Sequence, residues 1–209
     1  MAARIHPTAM VEPGVEIGDG TSVWDNVHIR GPHTVIGEQC IIGEKSYIAY
    51  GVRIGDRVKI NAFVYVCTAV TIETGVMLSA GVTFTNDRYP RATTPDLSEL
   101  RGSEPDEDTL ATLVREGTTI GARAVIGPGL TLGRFSMVGM GSVVTRDVPD
   151  FHLVAGHPAR TTAAVSRFGT PLTRAVKGLL PDGDVICPHT GTSYRIDDQR
   201  VVELDPEDV

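Results

Sequence analysis

The sequence predicts an all-β fold: a parallel β-helix with an inserted loop and a small C-terminal extension. Three observations predict it. An aliphatic or aromatic residue recurs every six positions over much of the chain, glycine is abundant at 23 residues, and aromatic residues make up only 5%. A period of six fits neither a helix nor a strand with alternating faces. It fits short flat strands joined by tight corners, wound so that inward side chains stack coil upon coil. Three such units per coil give an eighteen-residue turn of triangular section. The 209 residues, 41% hydrophobic and 22% charged, hold one domain with room for an appendage.

The repeat runs through Ile5, Val11, Ile17, Val23 and Ile29, slips by one residue near Gly31 to Thr34, and continues from Ile36 to Phe84. Residues four positions later are mostly small or β-branched, as Thr21, Cys40, Ser46 and Val58 are. Glycines such as Gly18, Gly37, Gly43 and Gly55 follow the aliphatic residue and suit tight corners. Fourteen units make nearly five coils. The period then breaks over about residues 85–117, and from Pro95 to Glu116 seven acids face two arginines. So long an excursion is expected to be functional or disordered, with Thr109 to Val114 packing back as a short strand or turn. Ile120, Ile126, Leu132, Val138 and Val144 resume the repeat for under two coils. The β-helix domain is expected over 1–160 and an extension over 161–209. In that extension the pattern from Ala159 to Leu180 suggests a short helix or two, broken by Gly169 and Pro171. Asp184 to Leu204 reads as a small hairpin, followed by an acidic frayed tail.

Composition narrows the partners. A formal charge of −7 argues against general nucleic-acid binding. Three cysteines do not make a disulfide framework. No apolar run approaches eighteen residues, and MAARIHP lacks a signal-peptide core. The expectation is a cytoplasmic protein with no membrane and no nucleic-acid partner.

The repeats, with Val143-Val-Thr-Arg-Asp-Val-Pro149 and Val154-Ala-Gly-His-Pro-Ala-Arg160 at their close, resemble the hexapeptide-repeat acyltransferases. Val58-Lys-Ile-Asn61, Val70-Thr-Ile-Glu73, Phe84-Thr-Asn-Asp87 and Pro90-Arg-Ala92 are similar to the nucleotide-sugar N-acetyltransferases among them. The resemblance covers about residues 5–160. It implies a left-handed winding, a homotrimer with sites between subunits, acetyl-CoA as co-substrate, and a UDP- or dTDP-linked deoxyamino sugar as acceptor. Asn86 is the expected catalytic residue, orienting the sugar amine by hydrogen bonding. Asn61, Glu73 and Asp87 are expected in the sugar pocket, and Arg91 on a pyrophosphate or sugar carboxylate. Gly139, Gly141 and Ser142 would admit the pantetheine arm, with Arg146 and Arg160 near the coenzyme's phosphates. The segment from Thr118 to Leu180 carries seven basic residues against two aspartates, which suits a polyanion.

Chemistry at the excursion supports an amine acceptor. Attack by a hydroxyl usually needs a strong base such as histidine, and no histidine lies between His33 and His152. A neutral amine is already nucleophilic, although a neighbouring subunit could still supply a histidine. The alternatives are an O-acetyltransferase or small-amine acetyltransferase of the same fold, or a non-catalytic β-helix scaffold. No metal is expected. His28 and His33, like His152 and His157, share a spacing with zinc-binding carbonic anhydrases of this fold class but lack a third histidine. Cys187-Pro-His-Thr-Gly191 carries only one cysteine of a zinc ribbon, and a closed site wants four ligands.

Overall fold

A computed structural model describes residues 1–204. From Arg4 the chain winds into a parallel β-helix whose three flat faces are ladders of mostly two-residue strands. The first face runs from strand Arg4–Ile5 to His152–Gly156, the second from Met10–Val11 to Val143–Val144, and the third from Glu16–Ile17 to Thr131–Leu132. Lys59 pairs with Ile41 on one side and Met77 on the other, so successive coils are offset by 18 residues. That is the coil length implied by three six-residue units. The winding is left-handed, against the usual hand of parallel crossovers.

The recurring aliphatic residues point inward and stack. Ile42, Ile60, Leu78, Ile120 and Val138 line the inner side of the first face, all buried. Small hydroxyls four positions later serve the corners. Thr21 donates to the Gly37 carbonyl at 2.8 Å and Thr118 to the Gly133 carbonyl at 2.7 Å, so these buried polar groups are satisfied. The slip seen in the sequence is real: Glu16 pairs with Val35, an offset of 19 residues. It centres on Gly31, where a Cβ would stand 2.1 Å from the Pro13 carbonyl oxygen, so only glycine fits.

The excursion leaves after strand Thr83–Phe84, and strand Thr112–Val114 packs back onto the third face. Thr71 pairs with Arg53 at an offset of 18 but with Leu113 at 42, so 24 residues are inserted into one coil. Its neck is pinned by the Leu110 amide on the Asn86 carbonyl at 2.7 Å and the Arg88 amide on the Asp108 carbonyl at 3.0 Å.

The helix expected after Ala159 does not form, and no helix exists among the described residues. Ala159–Val165 instead pairs antiparallel with His152–Gly156, and Pro171–Arg174 adds a further strand. The physical reason is the open edge that the last strand of the first face presents. Thr161, Thr162 and Val165 are β-branched and suit that edge better than a helix. The expected hairpin gains a strand: Gly183–Ile186, Ser193–Asp197 and Arg200–Glu203 form an antiparallel meander. Its own core gathers Leu180, Cys187, Tyr194, Ile196 and Val201 around Phe151 of the last coil. Phe151 stacks on Phe135 and meets Tyr194 edge-on, with centroids 5.5 and 5.6 Å apart. His152 Nε2 donates to the Gln199 carbonyl at 2.8 Å, which leaves Nδ1 to accept from the Thr161 hydroxyl at 3.1 Å. The acidic tail, residues 205–209, lies outside the described residues.

Candidate active site

The faces meet at three edges, and the expected site residues fall on all of them. Asn86 is two positions beyond Phe84, on the edge between the second and third faces. Asn61 is one position beyond Ile60, between the first and second faces. Glu73 is one position beyond Ile72, between the third and first.

A groove of about 550 Å³ runs between the Asn86 edge and the excursion. Ala49, Cys67 and Thr68 lie along the prism, Tyr47 and Tyr65 on its second face, and Tyr89, Pro90 and Arg91 opposite. Asn86 and Asp87 line it, as does Arg30 from an earlier coil. Asn86 is half-buried, and its amide nitrogen sits 3.5 Å from the Thr68 carbonyl oxygen, a weak bond at most. That leaves the amide oxygen for a ligand. Among the described residues the Arg91 side chain hydrogen-bonds only the neighbouring Pro90 carbonyl, at 2.9 Å, so its guanidinium is available.

Four of the chain's five tyrosines line this groove, giving it planar surfaces with polar rims. Tyr47 and Tyr65 stack with centroids 5.3 Å apart and planes 9° from parallel, and His28 meets Tyr47 edge-on at 5.4 Å. Burial raises the Tyr65 phenol, and burial with the charge of Glu104 raises that of Tyr50, so both remain protonated donors near neutrality. Burial, helped by Asp87, pushes the Cys67 thiol up to about 12. It is therefore floor and not a thiolate nucleophile. Asp87 is exposed, its charge reaches Tyr65 and Cys67, and its main chain bridges to Thr109.

Glu73 is not part of this groove. Its carboxylate accepts the Glu116 amide at 2.9 Å and faces Arg115 at 3.9 Å, bracing the coil that follows the excursion. Asn61 shares its edge with Gly139, three coils along. There Gly141 takes a left-handed φ of +67°, with open space around it, and Ser142 Oγ accepts the Gly156 amide at 3.2 Å. Arg160 pairs in register with Ala155, whose Cβ abuts Gly139. The fold thus gathers Gly139, Gly141, Ser142 and Arg160 at one end of one edge. Arg146 is exposed on the Asn86 edge, two coils beyond Asn86. Within one chain Asn86, Asp87 and Arg91 come together, while Asn61, Glu73 and the glycine cluster stand apart from them.

Arg30, Tyr47, Tyr50 and Tyr65 were missed by sequence reasoning. The signal was present: His28, Tyr47 and Tyr65 hold the same outward position in successive coils once the slip at Gly31 is allowed for. Among the described residues no group of three or more His, Cys, Asp or Glu side chains is placed to hold a metal ion.

Comparison with known proteins agrees with this architecture. The family model described as bacterial transferase hexapeptide (six repeats) matches residues 33–68, and the hexapeptide repeat of succinyl-transferase matches 116–146. The dTDP-3-amino-3,6-dideoxy-alpha-D-galactopyranose 3-N-acetyltransferase of Aneurinibacillus thermoaerophilus is 39% identical over 93 residues, 44% of this chain and 45% of that protein. The galactoside O-acetyltransferase of Escherichia coli is 43% identical over 47 residues, 22% of this chain and 23% of that one. The chain thus spans less than half the length of these curated relatives. A hexapeptide-repeat-containing acetyltransferase from Vibrio cholerae shares the fold with a TM-score of 0.51 and 24% identity, over 71% of this chain and 73% of that one. Repeat models matching on both sides of the excursion, with an eighteen-residue left-handed coil, show hexapeptide repeats similar to those of bacterial transferases, wound as a left-handed parallel β-helix.

Proposed function

We propose that this protein is an acetyl-CoA-dependent N-acetyltransferase acting on the amino group of a UDP- or dTDP-linked deoxyamino sugar. The observation that carries the reading is the groove at Asn86, which offers amide, carboxylate, phenol and guanidinium groups but no histidine among its described lining residues. Transfer to a hydroxyl usually draws on a strong general base, most often histidine. The 39% identity to a sugar N-acetyltransferase supports the same choice.

In this reading the neutral sugar amine attacks the thioester carbonyl carbon. The C–N bond forms, the C–S bond breaks, and the proton lost by nitrogen ends on the departing thiolate. The products are an acetamido sugar and free thiol. Asn86 accepts a hydrogen bond from the amine and aims its lone pair, Asp87 holds the sugar, and Arg91 meets an anionic group of the acceptor. Positioning of this kind is a large part of catalysis in such a site.

Gly139 and Gly141 give the pantetheine arm close approach to backbone, Ser142 braces that turn, and Arg146 and Arg160 meet phosphate. These groups occupy two edges of one prism, so the complete site is read as lying between subunits of a homotrimer. The edge bearing Asn61 and Gly139 then faces the Asn86 edge of a neighbouring copy. Trp24, Phe63 and Met140 lie exposed along the Asn61 edge and suit burial by a second copy. Glu73, on the third edge, acts as a positioning residue through the coil it braces.

Replacing Asn86 tests the assignment. Asn86→Ala is expected to lower kcat/KM about 100-fold, with oligomer mass and circular dichroism unchanged. Near-wild-type turnover would reduce Asn86 to a turn residue at the neck of the excursion.

A further inference from the structure

We infer that the end of the groove around Arg30 is an oxyanion subsite that takes the phosphates of the acceptor's nucleotide. The inference rests on the reading of Asn86 as the amine end, and it assigns an orientation to the substrate within the groove.

The geometry comes from the repeat. Arg30, Ala49, Cys67 and Thr85 each follow the inward residue of the second face in four successive coils. Three coil steps of about 4.8 Å put roughly 14 Å between the Arg30 and Asn86 ends. The positions between them are small, so this edge is a trough and not a ridge. Such a length exceeds a single sugar ring and suits a sugar carrying a diphosphate.

Arg30 is preset for an anion. Its Nε lies 2.9 Å from Glu12 Oε1, its Nη1 donates to the Tyr47 hydroxyl at 3.3 Å, and its guanidinium carbon stands 5.7 Å from the Tyr50 ring centroid. Glu12 is fixed in turn by His28 Nε2 at 2.8 Å and the Gly31 amide at 3.1 Å. The His28 hydrogen bond above all, with the Gly31 amide and Arg30, holds the Glu12 carboxyl below its ordinary range, so it is charged at neutral pH. Nη2 of Arg30 has no hydrogen bond within the described chain, and the side chain lines the groove. A guanidinium clamped on two sides, with donors left over, meets phosphate with little ordering cost.

Asp87 stands at the Asn86 end, where an amino group belongs, and Arg30 stands three coils away. The excursion lines the groove with Glu104, Asp106 and Asp108; the charge of Glu104 reaches Tyr50, and Arg101 is paired with Asp106 at 3.3 Å. Arg30 is therefore the cation that the prism itself supplies to that end.

The test measures binding of UDP and dTDP alone by calorimetry, and steady-state KM values, for wild type, Arg30→Ala, Arg30→Lys and Glu12→Gln. Circular dichroism and oligomer mass serve as folding controls. Arg30→Ala is expected to weaken the preferred nucleoside diphosphate at least about tenfold, as loss of a charge-assisted contact does. It is expected to raise the nucleotide-sugar KM by a similar factor with the acetyl-CoA KM unchanged. Arg30→Lys should recover part of the loss, and Glu12→Gln should fall between Lys and wild type. Unchanged nucleoside diphosphate affinity in correctly folded Arg30→Ala overturns the subsite, as does equal weakening of acetyl-CoA. Competition by a hexuronate with none by UDP or dTDP would assign Arg30 to a sugar carboxylate and overturn the phosphate assignment. Arg30-dependent binding of a nucleoside diphosphate without acetyl transfer would leave the subsite standing while the transferase reading fails.

Discussion

The prism and the C-terminal sheet come from one chain but reach order by different routes. In the prism each inward side chain has equivalents one coil away, so Ile42, Ile60 and Leu78 solve the same packing problem repeatedly. The C-terminal sheet has no such repetition. It is keyed to the last coil by a few single contacts, among them Phe151 on Tyr194 and His152 on Gln199. Repetition makes a core that is redundant and easy to read. Single contacts make one that depends on the identity of each residue.

That contrast can be broken at either end. The largest effect is expected from Phe84→Ala, because Phe84 is 1% exposed and is the one aromatic residue among the stacked positions. Truncating it should cost about 3–5 kcal/mol, read as a lower midpoint in urea unfolding. A loss under about 1 kcal/mol would show that the stack closes around the gap, as a more plastic core would.

A smaller and local effect is expected from acid. Burial lowers the His152 pKa below its ordinary 6.5, with the Gln199 carbonyl and Asp150 opposing the shift. The unfolded chain therefore binds a proton at a pH where the folded chain does not, and in that window the unfolded state holds more protons. Stability from this site is full above about pH 6.5, falls as pH drops towards the folded value, and is level below it. Amide exchange in Ser193–Asp197 and Arg200–Glu203 should quicken, after correction for intrinsic rates, between pH 7.5 and 5 while the central prism strands hold. His152→Gln should flatten that dependence. An equal acid response in the variant would place the titration elsewhere.

What could be read from the sequence follows the same division. The coil length, the slip at Gly31 and the place of the excursion all appear in the six-residue period, because a stacked core punishes any residue out of phase. The helix expected after Ala159 failed because local pattern says nothing about the open sheet edge that recruits Thr161 to Val165 as a strand. Asn86, Asp87 and Arg91 were found together because they are neighbours in sequence. Arg30 and Tyr47 were not, since they reach the groove only through coil stacking. Glu73 and Asn61 were grouped with Asn86 by resemblance, yet within one chain they stand on different edges, a separation that spacing in units of six already contains. Pairing those edges across subunits, as in the proposed homotrimer, would be a property of the assembly and not of the single chain.

The central claim is that the groove at Asn86 acylates an amine on a nucleotide-linked sugar. The most direct measurement is thiol release from acetyl-CoA against a panel of UDP- and dTDP-amino sugars and their hydroxyl counterparts, with product mass determined for each. The account expects one acetyl group added to nitrogen, with the amine preferred over the matching hydroxyl at least about tenfold. A tenfold preference for hydroxyl would contradict the direct-amine mechanism, and no thiol release with any acceptor would contradict the transferase reading itself.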